Sequence, residues 1–174
     1  MKKFRCWHFA RNDMKLGYGD NRDIMPGEVL SVDCKPVLCR SGLHGSIDIM
    51  DALNYAQGHI ICLVDIWGEV QQEDDKLCGT HREVIQMWDG EDILRYFAWW
   101  CALQSRSSWC VAMTVYAGMD AAESAVYAAR YAARSADLWD AAWSAGAARS
   151  VGAARHAQRK RLLSVLPGQI GNET

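Results

Sequence analysis

The sequence predicts an α+β fold: a small, mainly antiparallel sheet with one or two helices, followed by an alanine-rich helical C-terminal region. Three observations lead there. In the N-terminal half, short aromatic or alternating stretches are separated by loops rich in Gly, Asn and Asp. One run, Ile60-Ile61-Cys62-Leu63-Val64-Asp65-Ile66-Trp67, is almost continuously apolar, as a strand covered on both faces would be. From about Trp109 onward alanine dominates, and no proline interrupts before Pro167.

Phe4 to Ala10 predicts the first strand. Residues 11–23 read as a loop, Pro26-Gly27 as a turn, and Glu28 to Val32 as a second strand. The stretch around Ser41-Gly42-Leu43-His44-Gly45-Ser46 breaks the apolar pattern with two glycines. Asp48 or Ser46 then caps a predicted helix from about Ile49 to Gln57, ended by Gly58. His59 to Val70 is the predicted central strand, with Ile61, Leu63, Val64 and Ile66 in the core. A solvated turn carries Glu73, Asp74 and Asp75 before a further strand over Arg82 to Met87. Asp89-Gly90-Glu91-Asp92 opens a helix with acidic residues in its first turn.

The polar break Gln104-Ser105-Arg106-Ser107-Ser108 predicts a boundary. The expected organisation is an α+β domain over 1–104, a helical region over 109–166 and a tail over 167–174. Within the helical region Tyr127, Tyr131, Leu138, Trp139 and Trp143 recur at mostly helical spacing and predict one apolar ridge. That ridge suits packing on the N-terminal domain, or a dimer or partner surface. Arg130, Arg134 and Arg149, with Trp139, Trp143 and the acidic Glu73-Asp74-Asp75 turn, are the candidate partner contacts.

The formal net charge of −2 supplies no basic excess for phosphate-backbone binding, so direct nucleic-acid binding is not expected. No apolar run is long enough to predict a membrane span. The start lacks a secretory pattern, and the seven cysteines sit mostly in apolar runs. Reduced core thiols in the cytoplasm of a bacterial host are the expectation. Cys34, Cys39 and His44 lack an obvious fourth ligand, so no metal is expected. Phosphate-loop, Gly-x-Ser-x-Gly and His-Glu-x-x-His motifs are missing from the sequence, and the balance leans from catalysis toward binding.

Cys39 to His44, the helix from Asp48 to Tyr55, Gly68-Glu69-Val70 and Asp74-Asp75-Lys76 follow one another in a recognisable order. Over roughly residues 1–95 this order resembles a family of phage-borne domains with a Cys-x-x-Gly-x-His-like turn, a short helix, a strand ending in Gly-Glu-Val and an acidic-Lys turn. The alanine-rich tail is similar to tails of phage proteins. The resemblance implies phage or prophage origin and names no activity. With no catalytic set in view, the expected function is an accessory protein that binds and inhibits a host factor, a bacterial defence component, in the manner of an anti-CRISPR. An oligomeric structural phage protein, assembled through the C-terminal helices, is a further alternative.

A second set of residues resembles ADP-ribosyltransferases: Arg5 or His8 on the first strand, His44 and Ser46 before a helix ending in Tyr55-Ala56, and Glu83 on a late strand. This resemblance implies an enzyme that modifies a host protein with NAD as cofactor. It implies catalytic roles for Arg5, His8, His44 and Glu83, and NAD contacts for His44, Ser46 and Tyr55. The Ser-Thr-Ser triplet of that family is missing, and His44 stands where a tyrosine is usual.

Overall fold

The computed structural model describes residues 2–104, 120–130 and 147–168, with side chains described except at 102–104 and 147–151. In chain order the elements are β1 (Phe4–Ala10), β2 (Val29–Ser31), β3 (Leu43–Gly45), α1 (Ile49–Asn54), β4 (Ile60–Gln72), β5 (Leu77–Asp89), α2 (Glu91–Gln104), α3 (residues 121–130) and α4 (Ala147–Ser164). The predicted α+β class is the observed one. Two compact units divide the chain, Met1–Asp89 and Gly90–Thr174. The division falls at the Asp89-Gly90 junction, ahead of the compositional break after Gln104, so α2 belongs with the C-terminal helices.

In the first unit the strands run antiparallel in the order β1-β4-β5-β2, with β3 also paired to β5. The apolar run predicted to be central is central: β4 lies between β1 and β5. Ile61, Val64 and Ile66 are fully buried and Leu63 partly so. Each such aliphatic side chain removed from water contributes about 1.5–3 kcal/mol. Strand alternation sorts the sheet into two faces. Cys6, Leu30, Val64, Ile66 and Val84 form one core cluster with Leu43 of β3. Trp7, Phe9, Ile61 and Trp88 are buried on the other face, where the two indoles stack at 6.0 Å.

Three features extend or depart from the sequence pattern. β4 does not end at Gly68-Glu69-Val70 but runs on to Gln72. Gly68 adopts φ 94° at a register shift between Trp67 and Val70, so the motif is a bulge inside the strand. β5 begins at Leu77, where small and polar residues mask it, because it is paired to β4 on one side and β3 on the other. β3 itself lies in the stretch read as a break. It is held by pairing (Leu43 opposite Gly79, His44 opposite Cys78) rather than by propensity. Gly45 makes that possible, since a Cβ there would stand 3.0 Å from both Cys6 Cβ and Ile66 Cδ1. Just beyond β3, the Trp7 amide donates to the Ser46 carbonyl at 2.7 Å and the Ser46 amide to the Trp7 carbonyl at 2.9 Å. β3 therefore bridges from β5 to the outer edge of β1. Asp48 caps α1 by accepting from the Met50 amide at 2.8 Å, and the helix ends at Asn54, short of the predicted Gln57.

In the second unit α2 buries Leu94, Phe97, Ala98 and Cys101. The alanines of α3 (Ala121, Ala122, Ala125, Ala128 and Ala129) are buried too, as is Leu162 of α4. Alanine here supplies close helix approach as well as propensity. Asp120 accepts from the Ala122 amide at 2.8 Å and starts α3. Gln158 of α4 donates to the Ala129 carbonyl at 3.0 Å, and Arg161 donates to the Tyr96 hydroxyl while lying 5.0 Å from that ring. Of the predicted ridge, Tyr127 is described and exposed. Tyr131, Arg134, Leu138, Trp139 and Trp143 lie outside the described residues, as does the Arg149 side chain.

Candidate functional site

The strand arrangement leaves a cavity of about 390 Å³ in the first unit, roofed by β3 and the turn before it. That volume lies in the range of small-ligand sites. His8 enters from β1, His44 and Ser46 from β3 and its end, Tyr55 from the end of α1, and Arg82 from β5. Thus four of the residues singled out by the transferase resemblance, His8, His44, Ser46 and Tyr55, line one space. Arg5 and Glu83 do not. Alternation turns them to the other sheet face. There Arg5 spans both oxygens of Asp65, at 2.5 and 3.1 Å, and Glu83 meets Lys3 at 2.9 Å.

The two histidines differ in availability. Burial, aided by the nearby Arg82 charge, holds His8 well below the usual imidazole range, so its ring is neutral at pH 7. Burial also lowers His44, against a hydrogen bond to Gly42 that raises it. The Cys39 amide donates to His44 Nε2 at 3.1 Å. His44 therefore spends its ring on the 39–44 turn, where Cys39 sits at φ 61° and Gly42 at φ 100°. Tyr55 is exposed at the rim. Its hydroxyl donates to Asp75, which raises its pKa, and Lys76 lies 5.2 Å from its ring. Asp75 is thus tied to the pocket rim, while Glu73 and Asp74 beside it are exposed.

Sequence reasoning passed over Arg82. It stands between His81 and Glu83, both on the outer face, and only 1 % of it is exposed. Its Nη1 donates to the His44 carbonyl at 3.0 Å. Among the described residues Nε and Nη2 meet no acceptor. Burial pulls its pKa down to about 10, which leaves it cationic at neutral pH. The one carboxylate of the lining, Asp20, is held by Arg22 at 2.7 Å, a bond that keeps the carboxyl below its ordinary range. The available signal was period-two alternation from Val84, a core residue; it places Arg82 on the inward face.

Cys6, Cys62, Cys78 and Cys101 are buried free thiols, whereas Cys34 and Cys39 are exposed. Burial pushes Cys6 up to about 12 and Cys62 up to about 11, so neither supplies a thiolate at neutral pH. Cys110 lies outside the described residues. Among the described residues no group of three or more His, Cys, Asp or Glu side chains is placed to hold a metal ion. Nor is any described helix long and apolar enough to cross a membrane.

Comparison with protein-family models, with curated proteins and with solved structures yields no match.

Proposed function

We propose that the Met1–Asp89 unit is a small-molecule-binding module whose pocket takes a dinucleotide of the NAD class. One observation carries this reading: His8, His44, Ser46 and Tyr55 surround a single cavity of about 390 Å³. The exposed Tyr55 ring offers a stacking surface, and neutral His8 offers a hydrogen-bonding group on the wall. Bound NAD would bring an activated ribosyl carbon with nicotinamide as its leaving group. The residues that would exploit it are not gathered. Glu83 is on the far side of the sheet, Asp20 is closed on Arg22, and the rings of His44 and Tyr55 are already bonded. Binding without transfer is therefore the reading favoured. Calorimetric titration of the full chain with NAD and ADP-ribose tests it, alongside mass spectrometry of proteins from a bacterial host expressing the chain. The expected result is saturable binding with no ADP-ribosyl increment on any protein. Failure of both compounds to bind would remove the dinucleotide, and an ADP-ribosylated target would replace binding with catalysis.

A second reading concerns the C-terminal unit, where Tyr96, Trp99 and Tyr127 are 39, 46 and 52 % exposed. Exposed aromatics of this kind favour the phage-type accessory role, in which the protein occludes a host defence factor. A stoichiometric, unmodified host protein co-purifying with the tagged chain would support it.

A further inference from the structure

We infer that Arg82 is the anchor of an oxyanion site in the pocket, and that the group it receives is phosphoryl. The inference deepens the pocket reading above and rests on the same site. It starts from a comparison among three arginines of the first unit, Arg5 on β1, Arg22 in the loop that follows it and Arg82 on β5. The Nε–H and one Nη2–H of a guanidinium point the same way and form a fork that fits two oxygens of one anion. Arg5 closes that fork on Asp65, and Arg22 closes it on Asp20. Arg82 presents the same fork without an acceptor, although it is the most deeply buried of the three.

A buried cation without a counter-charge is strongly unfavourable, so native proteins pair such groups. Here the Nη1 bond to the His44 carbonyl at 3.0 Å ties the guanidinium to β3 and leaves the Nε–Nη2 edge for another partner. The pocket wall includes two more cations, Arg40 and Lys76, the latter shared with Glu73 at 3.5 Å and Asp75 at 4.0 Å, while the one lining carboxylate, Asp20, is neutralised by Arg22. A cavity lined in this way attracts a multiply charged oxyanion more than a single carboxylate. Two phosphoryl sources share this chemistry: a free phosphate compound, and the diphosphate of a dinucleotide.

The test titrates the full chain with inorganic pyrophosphate, malonate and NAD at low ionic strength. It follows binding by calorimetry and the Arg82 side-chain Nε–H by nitrogen-resolved NMR. Saturable pyrophosphate binding with a shift of the Arg82 resonance is expected, with malonate much weaker. Arg82→Lys keeps the charge but loses the fork, and should weaken pyrophosphate by about tenfold or more. Arg82→Met should abolish binding without lowering the Tm of the ligand-free protein, because it removes an unpaired charge. If that variant fails to fold, the wild-type resonance still decides. No Arg82 shift on adding pyrophosphate would overturn the site. So would undiminished affinity in Arg82→Met, or equal affinity for malonate. Pyrophosphate bound through Arg82 without NAD binding would keep this site and remove the dinucleotide reading. NAD bound equally well by wild type and Arg82→Met would do the reverse.

Discussion

At the scale of single residues, the pocket is governed by what burial does to charge. His8 and His44 are both held below their ordinary pKa, chiefly by loss of solvent. The unfolded chain takes up protons near pH 6.5 that the folded chain refuses. Stability should therefore be full above about pH 6.5 and fall as pH drops below it, by at most about 1.4 kcal/mol per pH unit for each histidine. A Tm profile from about pH 7.5 to about pH 5 checks this, and His8→Gln should make it less steep, leaving the share of His44. A flat wild-type profile would show that the histidines stay hydrated. Part of the pocket was legible at this scale: the resemblance to ADP-ribosyltransferases named His8, His44, Ser46 and Tyr55, which all line the cavity. Arg82 was not: its residue type reads as an exposed strand cation, and only its alternation with Val84 turns it inward. Conversely, Arg5 and Glu83 are the right residue types, but strand alternation turns them away from the cavity.

Among the elements, β1, β2 and β4 were legible, β5 was legible only in its second half, and β3 was not. β1 and β4 carry enough apolar or aromatic residues to announce themselves. β3 has three residues, and pairing with Leu77, Cys78 and Gly79 creates it. Such a strand has no local signal, since its stability is entirely tertiary. Gly68 is the element-scale counterpart. Its φ of 94° suits glycine, and a Cβ there would lie 2.0 Å from Thr80 Oγ1. Thr80 is not free to withdraw without loss, as its hydroxyl accepts from the Glu69 amide at 3.3 Å and meets His81 Nδ1 at 2.9 Å. Gly68→Ala should cost about 1–3 kcal/mol by chemical denaturation, with the slope against denaturant unchanged. A neutral effect would mean that the bulge relaxes readily.

For the whole molecule, the decisive fact is the division between Asp89 and Gly90. Composition pointed to the later break after Gln104, because alanine enrichment is conspicuous and α2 lacks it. Packing sorts α2 differently: Leu94, Phe97 and Cys101 are core residues of the helical unit. The sheet unit has its own apolar cluster and its own cavity. The fragment Met1–Asp89 is therefore expected to unfold in one cooperative transition and to retain pyrophosphate binding. Calorimetry of the fragment beside the full chain checks both, and a fragment without a transition would make the units interdependent.

The bridge between Trp7 and Ser46 has a consequence for how this protein behaves in a crowded solution. β1 lies at one end of the sheet order, and an open strand edge is a template on which another chain can add. At Trp7 the outward amide and carbonyl are both already bonded to Ser46. An incoming strand would have to dislodge the segment that follows β3 before it could extend its pairing past the middle of β1. The same few residues that roof the cavity thus guard the sheet against edge-to-edge aggregation, and changes made there to alter ligand choice put solubility at stake.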